Sequence, residues 1–216
     1  MEDVSIIGLD IAKNSFQAHG ASAAGVVVFR KKLPRGKVLE FLSRQPTCVV
    51  ALEACATSHY WGREIIRLGH EVRMIPPIYV KPFVKRQKND AADAEAIVIA
   101  AQRPEMRFVL PKGADQQSWA ILFRARERLV HQRTELVNAL RASLYEYGHV
   151  VPQGIRQIKR IAEILEAPNN DLPDLMREEC RDMVEQIAEQ TTRINARTRK
   201  IQALANEADI ARRLQT

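Results

Sequence analysis

The spacing of apolar residues changes character along the chain, and each change marks a different kind of element. Val4 to Ile11 is a short β-branched run, which predicts a strand buried in a sheet. Phe16 to Ala23 and Gly25 to Lys31 read as two further strands around a small-residue turn at Ala24-Gly25. Three such strands in succession predict an antiparallel meander. Arg35 to Arg44 then places Val38, Leu39, Phe41 and Leu42 at helical intervals and is ended by Pro46. Cys48 to Glu53 returns to a buried strand. Thr57 or Ser58 is positioned to cap a helix through Tyr60, Ile65, Ile66 and Leu68, with Gly69 as its stop. Glu71 to Ile75 is a fifth strand, closed by Pro76-Pro77. A basic connection from Ile78 to Lys88, partly helical, leads into an alanine-rich helix capped by Asn89 or Asp90 and running to about Gln102.

From Asp115 onward the period is helical throughout. Gln116 to Tyr147 carries Trp119, Leu122, Phe123, Leu129, Leu136, Val137, Leu140 and Leu144, which predicts one long amphipathic helix interrupted by Gly148 and Pro152. A shorter helix follows from about Gly154 to Leu165, and Pro168-Asn169-Asn170 is a loop. A last helix runs from Asp171 or Leu172 to about Arg213, with Met176, Met183, Ile187, Ile194, Ile201 and Leu204 near a seven-residue spacing. Such a narrow stripe needs a partner helix. The spacing fits a hairpin within the chain and a coiled coil between two copies equally well.

Composition narrows the class. The chain has 216 residues, 46% hydrophobic and 27% charged, which suits packed cores in a soluble protein of two modest domains. Its net charge of +7 favours a polyanionic partner. No apolar run reaches the length of a membrane span, and the N-terminus lacks the pattern of a secretory signal. Cys48, Cys55 and Cys180 fit neither a zinc site nor a disulfide framework, so they read as core or incidental thiols of a cytoplasmic protein. His19, His59, His70, His131 and His149 show no ligand spacing.

The candidate chemistry lies in four acids. Asp10 and Glu53 each stand near the end of a strand that should be buried, where a carboxylate is costly unless paired. Asp90 and Asp93 are three residues apart and share a helix face. Acids in a first turn commonly do no more than complement the helix dipole. However, three strands, helix, strand, helix, strand, helix is the order of the ribonuclease H-like fold, an α/β arrangement with a five-stranded mixed sheet and flanking helices. In that arrangement the first and fourth strands are neighbours, and the last helix carries Asp90 and Asp93 against Asp10 and Glu53. Convergent carboxylates suit divalent cations, and two magnesium ions held about 4 Å apart by shared carboxylates can activate the attacking oxygen and stabilise the leaving oxygen of a phosphodiester.

Three segments then carry a family resemblance: Gly8-Leu9-Asp10-Ile11-Ala12-Lys13, Leu52-Glu53-Ala54, and Lys88-Asn89-Asp90-Ala91-Ala92-Asp93-Ala94. In this order they resemble the motifs of the DEDD transposases of bacterial insertion sequences, a group related to the Piv DNA invertase that includes the bridge-RNA-guided recombinases. The resemblance implies a RuvC-like domain over residues 1–112 whose Asp10, Glu53, Asp90 and Asp93 are catalytic and bind Mg²⁺, with Mn²⁺ able to substitute. It further implies an all-α coiled-coil connector over residues 113–216, followed in the family by a domain whose serine attacks DNA. That serine-bearing domain is expected to be absent from this chain, which would make it an N-terminal fragment or truncated copy. The implied function is metal-dependent DNA strand cleavage and exchange during transposition, guided by RNA, with this chain supplying the carboxylate half of the site. DNA, a structured guide (bridge) RNA and further copies of the chain are the implied partners, in the nucleoid-associated cytoplasm of a bacterium and not at a membrane. A non-catalytic RNA- or DNA-binding module and a stand-alone RuvC-like nuclease on branched DNA are the alternatives.

Basic residues complete the picture. Lys81, Lys85, Arg86 and Lys88 precede the Asp90 helix without an intervening acid and are interleaved with Tyr79 and Phe83. They are the expected phosphate contacts. Lys13 is a further candidate, or else a structural partner of the carboxylates. Arg124, Arg126, Arg128 and Arg133, and Arg193, Arg197, Arg199 and Lys200, stud the long helices, where pairing with Glu127, Glu135 and Glu189 is the simpler expectation.

Overall fold

The computed structural model describes residues 3–84, 90–168 and 171–207, with residues 90 and 91 described as backbone. The chain divides into two compact units, Met1–Ala114 and Asp115–Thr216.

The first unit is built on five strands, β1 (Ile6–Asp10), β2 (Ser15–Ala21), β3 (Val27–Pro34), β4 (Val49–Glu53) and β5 (Glu71–Ile75). They lie in the order β3-β2-β1-β4-β5. The β1, β2 and β3 pairings are antiparallel, as a meander requires, while β1/β4 and β4/β5 are parallel. Parallel pairing needs crossovers, and the helices supply them. α1 (Val38–Ser43) leads into β4, α2 (Ser58–Arg67) joins β4 to β5, and α3 (Pro77–Val80) precedes α4 (Asp90–Ala101). This is the expected ribonuclease H-like α/β architecture.

Side-chain alternation sorts the sheet into two faces. Ile7, Leu9, Val50 and Leu52 are buried with Val38 and Leu42 of α1 and with Trp61 and Ile65 of α2. Ile6, Ala51 and Ile75 are buried on the other face with Ala96, Ile97 and Ala100 of α4. Because the strand period is two, Gly8 and Asp10 share the face of Ile6, and Glu53 shares the face of Ala51. Both acids therefore belong to the α4 side.

One local expectation differs from what is observed. Thr57 does precede α2, but it has a left-handed φ of 73° and its side chain makes no cap hydrogen bond. Instead the Ser58 hydroxyl donates to the Cys55 carbonyl at 2.8 Å, so the sharp turn after β4 is closed by the serine. The expected Asn89 cap of α4 lies outside the described residues. His70 is buried; its Nδ1 accepts the Cys48 amide at 3.3 Å and its Nε2 donates to the Leu42 carbonyl at 3.1 Å. It is a satisfied core histidine, in keeping with its lack of any ligand pattern.

The second unit contains α5 (Ala114–Tyr145), α6 (Ile158–Glu166) and α7 (Asp174–Glu207). Val137, Leu140 and Leu144 of α5 share one core with Ile161 and Leu165 of α6 and with Cys180 and Ile187 of α7. The Arg126 Nε donates to Thr198 Oγ1 at 2.8 Å, and an Arg133 guanidinium nitrogen donates to Thr191 Oγ1 at 3.1 Å. Seven residues forward on α5 match seven residues back on α7, so the two helices are antiparallel. The apolar stripe of the last helix is thus used inside the chain: Ile187 belongs to the core shared with α5, and Ile194 is buried as well. Of the two packings that the spacing allowed, the intrachain hairpin is the one formed. No helix among the described residues is long and apolar enough to cross a membrane.

Candidate metal centre

The site begins with register. Ile6, Ile7, Gly8 and Leu9 of β1 pair with Val49, Val50, Ala51 and Leu52 of β4. The next residue of each strand, Asp10 and Glu53, ends its element at the same level of the sheet. Both are half-buried, and both lie on the face that α4 covers.

Gly8 explains how α4 comes so near. A Cβ placed on Gly8 would collide with the Ala94 carbonyl oxygen and would stand 2.7 Å from Val98 Cγ2. Only the absence of a side chain lets the helix backbone descend to the strand at that point. Ala94 follows Asp93 directly, so the contact brings Asp93 down towards the strand ends. Alanines at 94, 96, 100 and 101 are all buried and give α4 a small-residue packing face. An ion pair at 3.6 Å between Arg30 of β3 and Glu95 ties the helix to the meander.

Electrostatics register the same proximity. The Glu53 carboxyl is pushed above its ordinary value, first by burial and then by the negative charge of Asp93. The thiol of Cys55, half-buried just beyond β4, is pushed up by burial, then by Glu53, and more weakly by Asp10. Glu53 thus lies within electrostatic reach of Asp93, and Cys55 within reach of Glu53 and Asp10. Among the described residues, no group of three or more His, Cys, Asp or Glu side chains could hold a metal ion, and the Asp90 side chain lies outside them. In kind the donors suit a hard divalent cation: carboxylate oxygens at strand ends and a helix start. The mutual repulsion of Glu53 and Asp93 is what such a cation would relieve.

The loop after β1 is braced from behind. An Arg35 guanidinium nitrogen donates to the Ala12 carbonyl at 3.2 Å, and the guanidinium lies 5.1 Å from the Trp61 ring centre and 5.6 Å from that of Phe16. Lys13, in that loop, is exposed, as is Lys81. Lys85, Arg86 and Lys88 lie outside the described residues. The sequence pattern places Gly8 in a motif without a steric role and reads Cys55 as a core or incidental thiol. A glycine inside an otherwise β-branched buried strand was the available signal for the first. Nothing in the spacing of the thiols pointed to the second.

Comparison with known proteins agrees with the motifs. A family model described as Transposase, the DEDD type of insertion sequence IS110, matches residues 7–149. The chain is 44% identical over 173 residues to the transposase for insertion sequence element IS1328 of Yersinia enterocolitica, covering 80% of this chain and 51% of that protein. It is 42% identical over 203 residues to a "Probable family 20 transposase" of Pseudomonas aeruginosa, covering 93% of this chain and 60% of that protein. The chain spans about half the length of the curated relatives it matches.

Proposed function

The chain belongs to the DEDD transposase family of the IS110 type, and from that membership we propose that it holds the metal-binding carboxylates of a DNA strand-exchange centre serving transposition. The ligands in this reading are Asp10, Glu53, Asp90 and Asp93, with Mg²⁺ as the resident ion and Mn²⁺ able to replace it. When bound, the metal supplies Lewis-acid polarisation of a phosphodiester and activation of an attacking hydroxyl. The residues of this chain do the positioning. Parallel pairing of β1 and β4 sets Asp10 beside Glu53, Gly8 admits α4, and Asp93 and Asp90 of α4 would complete the ligand set from that helix.

The attacking hydroxyl is proposed to come from a serine of a further domain, beyond a boundary near residue 112 and the helical connector. Lys13, Lys81, Lys85, Arg86 and Lys88 would follow the phosphates on either side of the centre. DNA, a structured guide RNA and further copies of the chain are the proposed partners. An oligomer formed through the helical unit would use faces other than the Ile187 and Ile194 stripe, which the hairpin already occupies.

The observation that carries this reading is the placement of two acids, distant in sequence, at the ends of neighbouring parallel strands beneath the helix that bears the other two. Calorimetric titration with Mn²⁺ tests it. The unaltered chain should bind, and Asp10→Ala, Glu53→Ala, Asp90→Ala and Asp93→Ala should each abolish or strongly weaken the heat of binding. Binding unchanged in all four variants overturns the metal centre. Nucleic-acid binding that persists in a chain with no metal affinity at all would favour the non-catalytic module instead.

A further inference from the structure

The arginines of the helical unit fall into two groups. Arg126 and Arg133 are half-buried and donate to Thr198 and Thr191, whose hydroxyls in turn donate to the carbonyls of Ile194 and Ile187 at 2.9 and 2.7 Å. These two hold the hairpin together. Arg128, Arg193 and Arg197 do something different. They converge on one cleft of about 360 Å³ between α5 and α7, completed by Ala125, Leu129 and Gln132.

The cleft has a helical logic. Ala125, Arg128, Leu129 and Gln132 stand at intervals that make one continuous stripe of α5, and Arg193 and Arg197 are one turn apart on α7. Leu129 is buried and forms the floor, while Ala125 is the small residue that leaves the space open. No carboxylate lines it. Among the described residues, the one acid paired with any of the three arginines is Glu189, 3.7 Å from Arg193 with both side chains largely exposed, a weak contact. Arg197 donates to the Arg193 carbonyl at 3.2 Å. Three guanidiniums drawn together without a matching acid repel one another unless an anion sits among them. Guanidinium geometry favours a phosphate, which accepts paired hydrogen bonds.

We propose that this cleft is a phosphate-binding site that grips the sugar–phosphate backbone of a nucleic acid, independently of the carboxylate centre in the other unit. This rests on the reading of the chain as a nucleic-acid-acting protein, but on none of its metal chemistry. The cleft holds two or three consecutive phosphates without reading bases, so it sets position and not sequence.

The test compares two charge-matched triple variants of the whole chain. One carries Arg128→Gln, Arg193→Gln and Arg197→Gln; the other carries Arg156→Gln, Lys159→Gln and Arg160→Gln, three exposed cations outside the cleft. Binding to a duplex DNA and to a structured RNA of equal length is followed by fluorescence anisotropy from 50 to 300 mM salt. The cleft variant should flatten the slope of log affinity against log salt by up to about 2.7 for duplex DNA, because each phosphate contact contributes about 0.9. The control variant should leave the slope within about one contact of the parent. Flattening with one nucleic acid alone identifies which backbone the cleft holds. Circular dichroism should show both variants folded, since the hairpin's own arginines are untouched, and Mn²⁺ binding should be unaltered in both. Equal slopes for the two variants overturn the proposal, as does a lower mass by light scattering with an unchanged slope, which would mean that the arginines seat a carboxylate of a second copy.

Discussion

Gly8 and Ala94 meet where a side chain would not fit: a Cβ on the glycine would strike the alanine's carbonyl oxygen. That single contact sets how far α4, and with it Asp93, lies from the ends of β1 and β4. Gly8→Ala should therefore act on the site as well as on stability. Forcing one methyl into a backbone contact costs about 1–3 kcal/mol. We expect a lower melting temperature and weaker Mn²⁺ binding together. Gly36→Ala, where a Cβ meets nothing within 4 Å, is the matched control and should change neither. Normal metal affinity in Gly8→Ala would show that the helix depth is irrelevant to the carboxylates.

The charge on Glu53 predicts a pH dependence whose sign follows from its cause. Burial and Asp93 raise its folded-state pKa, so the native chain favours the protonated acid. Stability linked to Glu53 is then fully present below the ordinary carboxylate value and is lost as pH rises through the raised one. In buffer containing a chelator, Glu53→Gln should melt higher than the parent at pH 7 and alike near pH 4. Added Mn²⁺ should reverse the order at pH 7, because the parent gains a ligand-bound state that the amide cannot match. Equal melting curves at both pH values would show that neither burial nor Asp93 disfavours the ionised Glu53 in the native chain.

Much of the fold could be read from residue pattern, and the reasons are local. β-branched runs at Val4 to Ile11 and Cys48 to Glu53, and the three strands before the first helix, specify a meander followed by crossovers with little competition from helix propensity. The pairing of Asp10 with Glu53 follows from that topology alone. The closeness of α4 does not, since it depends on a steric vacancy at Gly8 that no periodicity reports. The fate of the Ile187 and Ile194 stripe was open for a different reason: a heptad-like spacing specifies that a helix has a partner, not which chain supplies it. Two threonines on α7, read together with the arginines seven residues apart on α5, were the sequence signal for the intrachain answer.

Thr57 carries a prediction of its own. A β-branched residue at φ 73° is strained by about 1–3 kcal/mol. Glycine relieves that strain and gives back part of the gain through its extra freedom in the unfolded chain. Thr57→Gly should raise stability by about 1 kcal/mol in denaturant titration. A loss of stability instead would mean that the threonine side chain contributes contacts outweighing the strain. Because the turn follows Glu53 by only four residues, Mn²⁺ titration of the same variant reports whether the strain also holds the carboxylate in place.

The helical unit offers the clearest separation of packing within the chain from packing between chains. Ile187 is 2% exposed and belongs to the core shared with Val137, Leu140 and Cys180. An aspartate there would be a charge buried without a partner, costing several kcal/mol, which is comparable to the whole stability of a small unit. Ile187→Asp should therefore lower helical circular dichroism and leave that unit open to proteolysis. Leu175→Asp, at a position 69% exposed at the start of the same helix, should do neither. If α7 packed chiefly on a second copy, Ile187→Asp would instead give a folded chain of half the mass in light scattering. The antiparallel bonds from Arg126 to Thr198 and from Arg133 to Thr191 argue for the first outcome, because they already tie the stretch of α7 just after Ile187 and Ile194 to α5 of the same chain.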